Sequence, residues 1–156
     1  MRHILLAACL SLASFAASAD TIAPRDGWVV IETGKSHADL LAALKTAVKA
    51  NKMGVVTQAG PTATAAKRGI TIPENRVVGV FNNDFAVRIL GLSTAAMIEA
   101  PIRFYVTEKS DGTATLSYKT PSFVFQPYME EAGPDLGNMA EELDARFAAI
   151  AKAATQ

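Results

Sequence analysis

The predicted order of elements, β-α-β-(α)-β-(α)-β-β-α, places this chain in the α+β class as a single domain. Three observations carry that assignment: an early helix with a matched start signal, a strictly alternating hairpin in mid-chain, and an amphipathic helix at the end. Residues 28–156 are expected to form the domain, preceded by a flexible lead over 20–27 that contains Pro24 and Gly27.

Trp28-Val29-Val30-Ile31-Glu32-Thr33 is rich in β-branched residues and closed by Gly34, which predicts the first strand. Ser36 offers an N-cap with Asp39 three residues on, a weaker relative of the capping box. Leu40, Leu41, Leu44, Ala47 and Val48 then fall on one face of a helix running from about His37 to Asn51. Lys45, Lys49 and Lys52 near its end suit the negative pole of the helix dipole.

Met53 to Gln58 predicts a second strand, and Gly60-Pro61-Thr62 opens a short helical segment through Lys67 that stops at Gly69. Arg76 to Phe81 is apolar almost throughout, as expected of a strand central in a sheet or buried on both faces. Asn82-Asn83-Asp84 should turn the chain, Phe85 to Leu90 form a turn or two of helix stopped by Gly91, and Ser93 to Glu99 form another short one.

The clearest unit follows. Ile102, Phe104 and Val106 alternate with Arg103, Tyr105 and Thr107, while Ala114, Leu116 and Tyr118 alternate with Thr115, Ser117 and Lys119. Ser110-Asp111-Gly112 supplies the hairpin turn, with Gly112 free to take a positive φ. Pro121 to Pro127 is expected as an edge strand or extended segment. Leu136, Met139, Ala140, Leu143, Phe147 and Ile150 define the last helix, with Glu141, Glu142 and Asp144 on its polar side.

The first nineteen residues predict export. Met1-Arg2-His3, the apolar run Ile4 to Phe15 and the small-residue site Ala17-Ser18-Ala19 form a signal peptide cleaved between Ala19 and Asp20. The run is too short for a spanning helix, which needs about 20 residues. The expected location is therefore periplasmic or secreted, with no membrane attachment after cleavage. Leu6-Ala7-Ala8-Cys9 has the residue types of a lipoprotein box, but too few apolar residues precede Cys9 for a signal core of about 7–15.

Cleavage removes much of the chemistry. Cys9 is the only cysteine, so disulfides, thiolate metal sites and cysteine nucleophiles go with it. Basic and acidic residues balance at 15 each, and the loss of Arg2 leaves a mature chain one charge negative, with no field to attract nucleic acid. His37 is then the last histidine, and at the start of a helix it is expected to be solvated. A catalytic triad lacks its base elsewhere, acidic residues do not cluster in a calcium-loop pattern, and no metal or cofactor is expected. Glu130-Glu131 fits a solvated face, and the segment at Gly60 lacks the lysine of a phosphate-binding loop. Met53, Met97, Met129 and Met139 are scattered singly, which fits gap-filling in a core, and sheet packing accounts for Tyr105, Tyr118, Phe123, Phe125 and Tyr128.

Two places remain as candidates for ligand binding. Asn82, Asn83 and Asp84 follow a buried strand, where polar side chains line clefts as well as forming turns. Arg103 is a charge in a strand directly after Glu99-Ala100-Pro101, with solvated pairing to Glu99 as the simpler alternative.

Ala65-Ala66-Lys67-Arg68-Gly69-Ile70, the strand Val77 to Phe81, Glu99-Ala100-Pro101-Ile102-Arg103 and Ser117-Tyr118-Lys119-Thr120-Pro121 together resemble the bacterial and archaeal domain-of-unknown-function family 302 over about residues 28–128. The resemblance implies an antiparallel sheet with helices packed on it, similar to the TATA-binding-protein-like architecture, and often a homodimer. It implies no activity. Many members carry a Gly-Asn-Pro turn where this chain has Asn82-Asn83-Asp84, and a histidine before the second helix, near Pro61 here.

The function expected from these observations is a non-catalytic module that binds a small ligand or a partner protein, as a homodimer through a sheet or helix face. The first alternative is an enzyme that draws Asp84, Glu99 and Arg103 into one cleft. The second is a structural or assembly subunit with an apolar patch left uncovered.

Overall fold

A computed structural model describes residues 22–156. The predicted signal peptide, its Ala19–Asp20 cleavage point and Cys9 lie outside the described residues.

Five strands form one fully antiparallel sheet in the order β1-β5-β4-β3-β2: β1 Trp28–Glu32, β2 Gly54–Ala59, β3 Asn75–Phe81, β4 Ile102–Glu108 and β5 Ala114–Lys119. Helix α1, His37–Ala50, carries the chain from one edge strand to the other. It starts where Ser36 accepts a hydrogen bond from the Asp39 amide at 3.2 Å and donates its hydroxyl to the Asp39 carboxylate at 2.7 Å, so the cap closes reciprocally. Helix α2 is Thr62–Lys67, α3 Asn83–Leu92, α4 Pro121–Phe125, α5 Met129–Ala132 and α6 Pro134–Thr155. No helix among the described residues is long and apolar enough to cross a membrane.

The core lies between one sheet face and the pair α1 and α6. Leu40, Leu44 and Val48 from α1 and Leu136, Leu143, Phe147 and Ile150 from α6 meet Val78, Val80, Phe104, Val106 and Leu116, all almost wholly buried. At its centre the Phe147 ring stacks on Phe104, with centroids 4.7 Å apart, and Tyr118 tilts against both.

Three local expectations need correction. Pro121–Pro127 is not a strand: Thr120 caps a helix by accepting from the Phe123 amide, Pro121 occupies the first helical position, and Asp144 of α6 accepts from the Ser122 amide at 3.0 Å. Asn82-Asn83-Asp84 is not a free turn, because Asn82 caps α3 by accepting from the amides of Asp84 and Phe85, which places Asn83 and Asp84 in the first helical turn. Gly91 does not stop α3, which continues to Leu92 because Phe85, Ala86 and Ile89 bury its inner face. The hairpin turn is as expected, with Gly112 at φ 81°.

Candidate functional site

Strand alternation gives the sheet a second face that no core covers. On it, pairing sets side chains in cross-strand rows. Thr57, Gly79 and Arg103 are register partners across β2, β3 and β4, Lys119 pairs with Trp28 across β5 and β1, and Arg103 and Lys119 each lie one residue beyond the last β4–β5 pair, Phe104–Tyr118. The next row is Ala59, Val77, Tyr105, Ser117 and Val30. A third holds Asn75, Thr107, Thr115 and Glu32.

Part of the first two rows lines a pocket of about 370 Å³, together with Glu99 and with Val124 of α4. Trp28, Arg103, Tyr105 and Lys119 line it together with Val77, Ile102 and Tyr118. The Lys119 ammonium lies 5.6 Å from the Trp28 ring centroid, and the Arg25 guanidinium lies 5.3 Å from it. Neither Arg103 nor Lys119 takes part in an ion pair among the described residues. Glu99 does not pair with Arg103 either. Its Oε1 accepts from the Tyr128 hydroxyl at 2.8 Å, a bond that pushes the phenol pKa up. Burial, helped by the Asp144 charge, also raises the pKa of Tyr118, so both phenols stay neutral at pH 7.

The pocket therefore offers two cations without a carboxylate partner, an indole plate beside them, and one carboxylate already held by a phenol. That set is complementary to negative charge and to flat or apolar groups.

Within these rows, Thr115 and Ser117 of β5 are wholly buried between their partners on β1 and β4, and their hydroxyls have no hydrogen-bond partner in the protein. Burying an unpaired hydroxyl costs about 1–3 kcal/mol. Thr115→Val keeps the shape and removes the polar atom, so it should leave stability unchanged or raise it by about 1 kcal/mol. Thermal unfolding of the variant checks this, and a clear loss of stability would show that the hydroxyl is paired.

The polar segment after β3 lies elsewhere. The Asn82 amide donates to the Lys52 carbonyl at 2.8 Å while its oxygen caps α3, so its polar atoms are committed to the fold. The hollow beside it holds only about 30 Å³, room for a water or two and too small for a ligand. Asn83 and Asp84 are exposed, and Asp84 does not line the pocket that holds Glu99 and Arg103. Of the residues singled out in the sequence, Arg103 and Glu99 share one site. Trp28, Tyr105 and Lys119 join them through register, and the polar set of the β4–β5 alternation was the signal that pointed to them.

The family model described as "Domain of unknown function DUF302" matches residues 29–154. The chain belongs to the DUF302 family. The fold is similar to the crystal structure of an uncharacterized conserved DUF302 protein from Bacillus stearothermophilus, with a TM-score of 0.74 at 17% identity, over 85% of this chain and 100% of that one. No curated protein matches.

This DUF302 domain corrects one further expectation. His37 is buried, 7% exposed, and its Nε2 has no hydrogen-bond partner in the protein. The Ser36 cap turns the first residue of α1 inward, toward the ends of β3 and β4, where Glu74, Arg76 and Glu108 surround it. Burial lowers its pKa below 6.5, against the smaller opposing pull of Glu74 and Glu108. The native state therefore keeps His37 neutral at a pH where the unfolded chain binds a proton. Stability is expected to fall as pH drops below about 6.5, and His37→Gln should flatten that slope. Unfolding midpoints at pH 7.5 and 5.5 for both proteins check this, and equal slopes would contradict it.

Proposed function

We propose that this DUF302 protein is an exported, non-catalytic binding module that holds a small anionic ligand on the open sheet face, at Arg103, Lys119 and Trp28. The observation that carries the proposal is the convergence of two cations without ion-pair partners and one indole on a single pocket of about 370 Å³. Charge complementarity of this kind selects anions and orients them. The enzyme alternative has less support, because Asp84 does not line the pocket of Glu99 and Arg103.

Thermal unfolding of the purified protein with acetate, propionate, benzoate and phosphate tests ligand binding. A bound ligand at a hundred times its Kd adds about 2.7 kcal/mol, so Tm rises with the logarithm of ligand concentration above Kd. If no anion shifts Tm beyond the effect of matched ionic strength, the binding proposal fails.

Export rests on the residue pattern of 1–19. Expression in a Gram-negative host followed by intact-mass measurement should give a periplasmic protein that begins at Asp20. The homodimer that the family resemblance implies is part of the proposal, with a single dimeric mass by light scattering as its test.

An assembly role has one observation in its favour. Val87 and Leu90 on the outer side of α3, and Ile98 in the following 3-10 turn at 78% exposure, leave apolar surface open. Conversion of a larger assembly to a smaller one by Ile98→Asp would support it.

A further inference from the structure

The pocket at Arg103 and Lys119 does not end at Tyr105. A second hollow, of about 520 Å³, lies beyond it and shares Val77 and Tyr105 as lining. Its remaining walls are Ala59, Gly60, Pro61 and Asn75, so apart from one amide it is bounded by apolar and backbone surface. Both hollows sit on the same sheet face, because Ala59, Val77 and Tyr105 are successive register partners across β2, β3 and β4. Strands about 4.8 Å apart put Ala59 roughly 10 Å from the strand that carries Arg103. The groove is thus charged at one end and apolar at the other, with Val77 and the Tyr105 ring as the floor between.

From this we infer that the ligand is a medium-chain monocarboxylate, an amphiphile whose head meets Arg103 and Lys119 and whose alkyl tail crosses Val77 and Tyr105 toward Ala59 and Pro61. The inference rests on the anion-binding proposal above and adds the tail. Glu99 at the charged end repels a second negative charge, and the lining of the apolar end carries no cation, because the Arg76 side chain beside Gly60 belongs to the opposite, core-side face of β3. A dicarboxylate is therefore the wrong shape of charge. The chain length is set by the distance between the two ends, which an octyl chain spans.

The test uses Trp28, the only tryptophan in the chain, as a reporter inside the charged end. Emission is titrated with propionate, octanoate and octanedioate. Octanoate is expected to bind at least tenfold tighter than propionate, and octanedioate weaker than octanoate, since each methylene that leaves water contributes to affinity. Ala59→Phe, on an exposed edge position, occupies part of the second hollow without adding a second indole, and should reduce the octanoate advantage while leaving propionate binding unchanged. Val77→Thr, which keeps the shape, should reduce that advantage and serves as the second variant if Ala59→Phe fails to fold. Equal affinities for propionate and octanoate would overturn the tail inference and leave the anion site standing. Absence of any saturable change with all three would overturn the anion site itself. Sedimentation with phosphatidylglycerol vesicles, without binding of free octanoate, would overturn a soluble ligand in favour of a lipid surface.

Discussion

Phe147→Ala is expected to destabilise the domain by about 3–5 kcal/mol, the largest loss from any single substitution considered. Phe147 is wholly buried on α6, stacked on Phe104 at 4.7 Å with ring planes 13° apart, and 5.7 Å from Tyr118. It is where the last helix meets the central strand β4 and its neighbour β5. Truncation removes the ring from water-free surroundings and leaves a cavity bounded by two other aromatics that are themselves held in a paired sheet and cannot collapse into it. Against a total stability of about 5–15 kcal/mol for a domain of this kind, that is a large fraction. Urea unfolding checks it: the midpoint should fall sharply with the slope unchanged. A loss below about 1 kcal/mol would mean that α6 does not pack on β4 and β5 as described.

Joint replacement of Arg103 and Lys119 by alanine is expected to cost binding, not folding. Both side chains are exposed and unpaired by carboxylates, so the stability change should stay within about 0.5 kcal/mol. Hydrogen bonds to charged groups are worth about 1.5–3 kcal/mol when sheltered and less where water competes, so each cation should contribute close to tenfold in affinity for a carboxylate. The double variant is expected to bind small carboxylates about 30- to 100-fold more weakly, with Tm nearly unchanged. The same titration at rising salt should weaken the wild type and scarcely affect the variant, because only the wild type depends on exposed charge. Wild-type affinity in the double variant would remove these residues from the site.

Much of the fold was legible because local and long-range signals agree. The Ser36–Asp39 cap, the apolar stripe of α1 and the Gly112 turn each act within a few residues, so their chemistry is written in the sequence that surrounds them. Misreadings arose where an aromatic or polar run had two uses. Phe123-Val124-Phe125 fits a strand by composition, yet Thr120-Pro121 is a helix start, and the bonds from Ser122 to Asp144 of a distant helix stabilise it. Asn82-Asn83-Asp84 fits a turn or a binding loop equally well until the capping bonds are seen. His37 looked solvated because burial of a first-turn side chain depends on β3 and β4, which are far away in sequence.

The candidate site was half legible for a related reason. Arg103 and Glu99 stood out as charges beside a strand start, but their neighbours depend on which strands pair and in what register. Trp28 reaches Lys119 only because β1, the first strand, joins the sheet beside β5, the last one. Tyr105 and Val77 become a shared floor only because β3 pairs with β4 while β2 pairs with β3. Alternation shows that a face exists; pairing decides what is on it.

The central claim is that the open sheet face, and not the polar segment after β3, is the ligand surface. Backbone amide chemical-shift mapping of the labelled protein with octanoate tests it most directly. The account predicts saturable shifts at Trp28, Val77, Arg103, Tyr105 and Lys119, with α1 and the buried side of α6 unmoved. Shifts centred on Asn82, Asn83 and Asp84, or none at saturating octanoate, would contradict it.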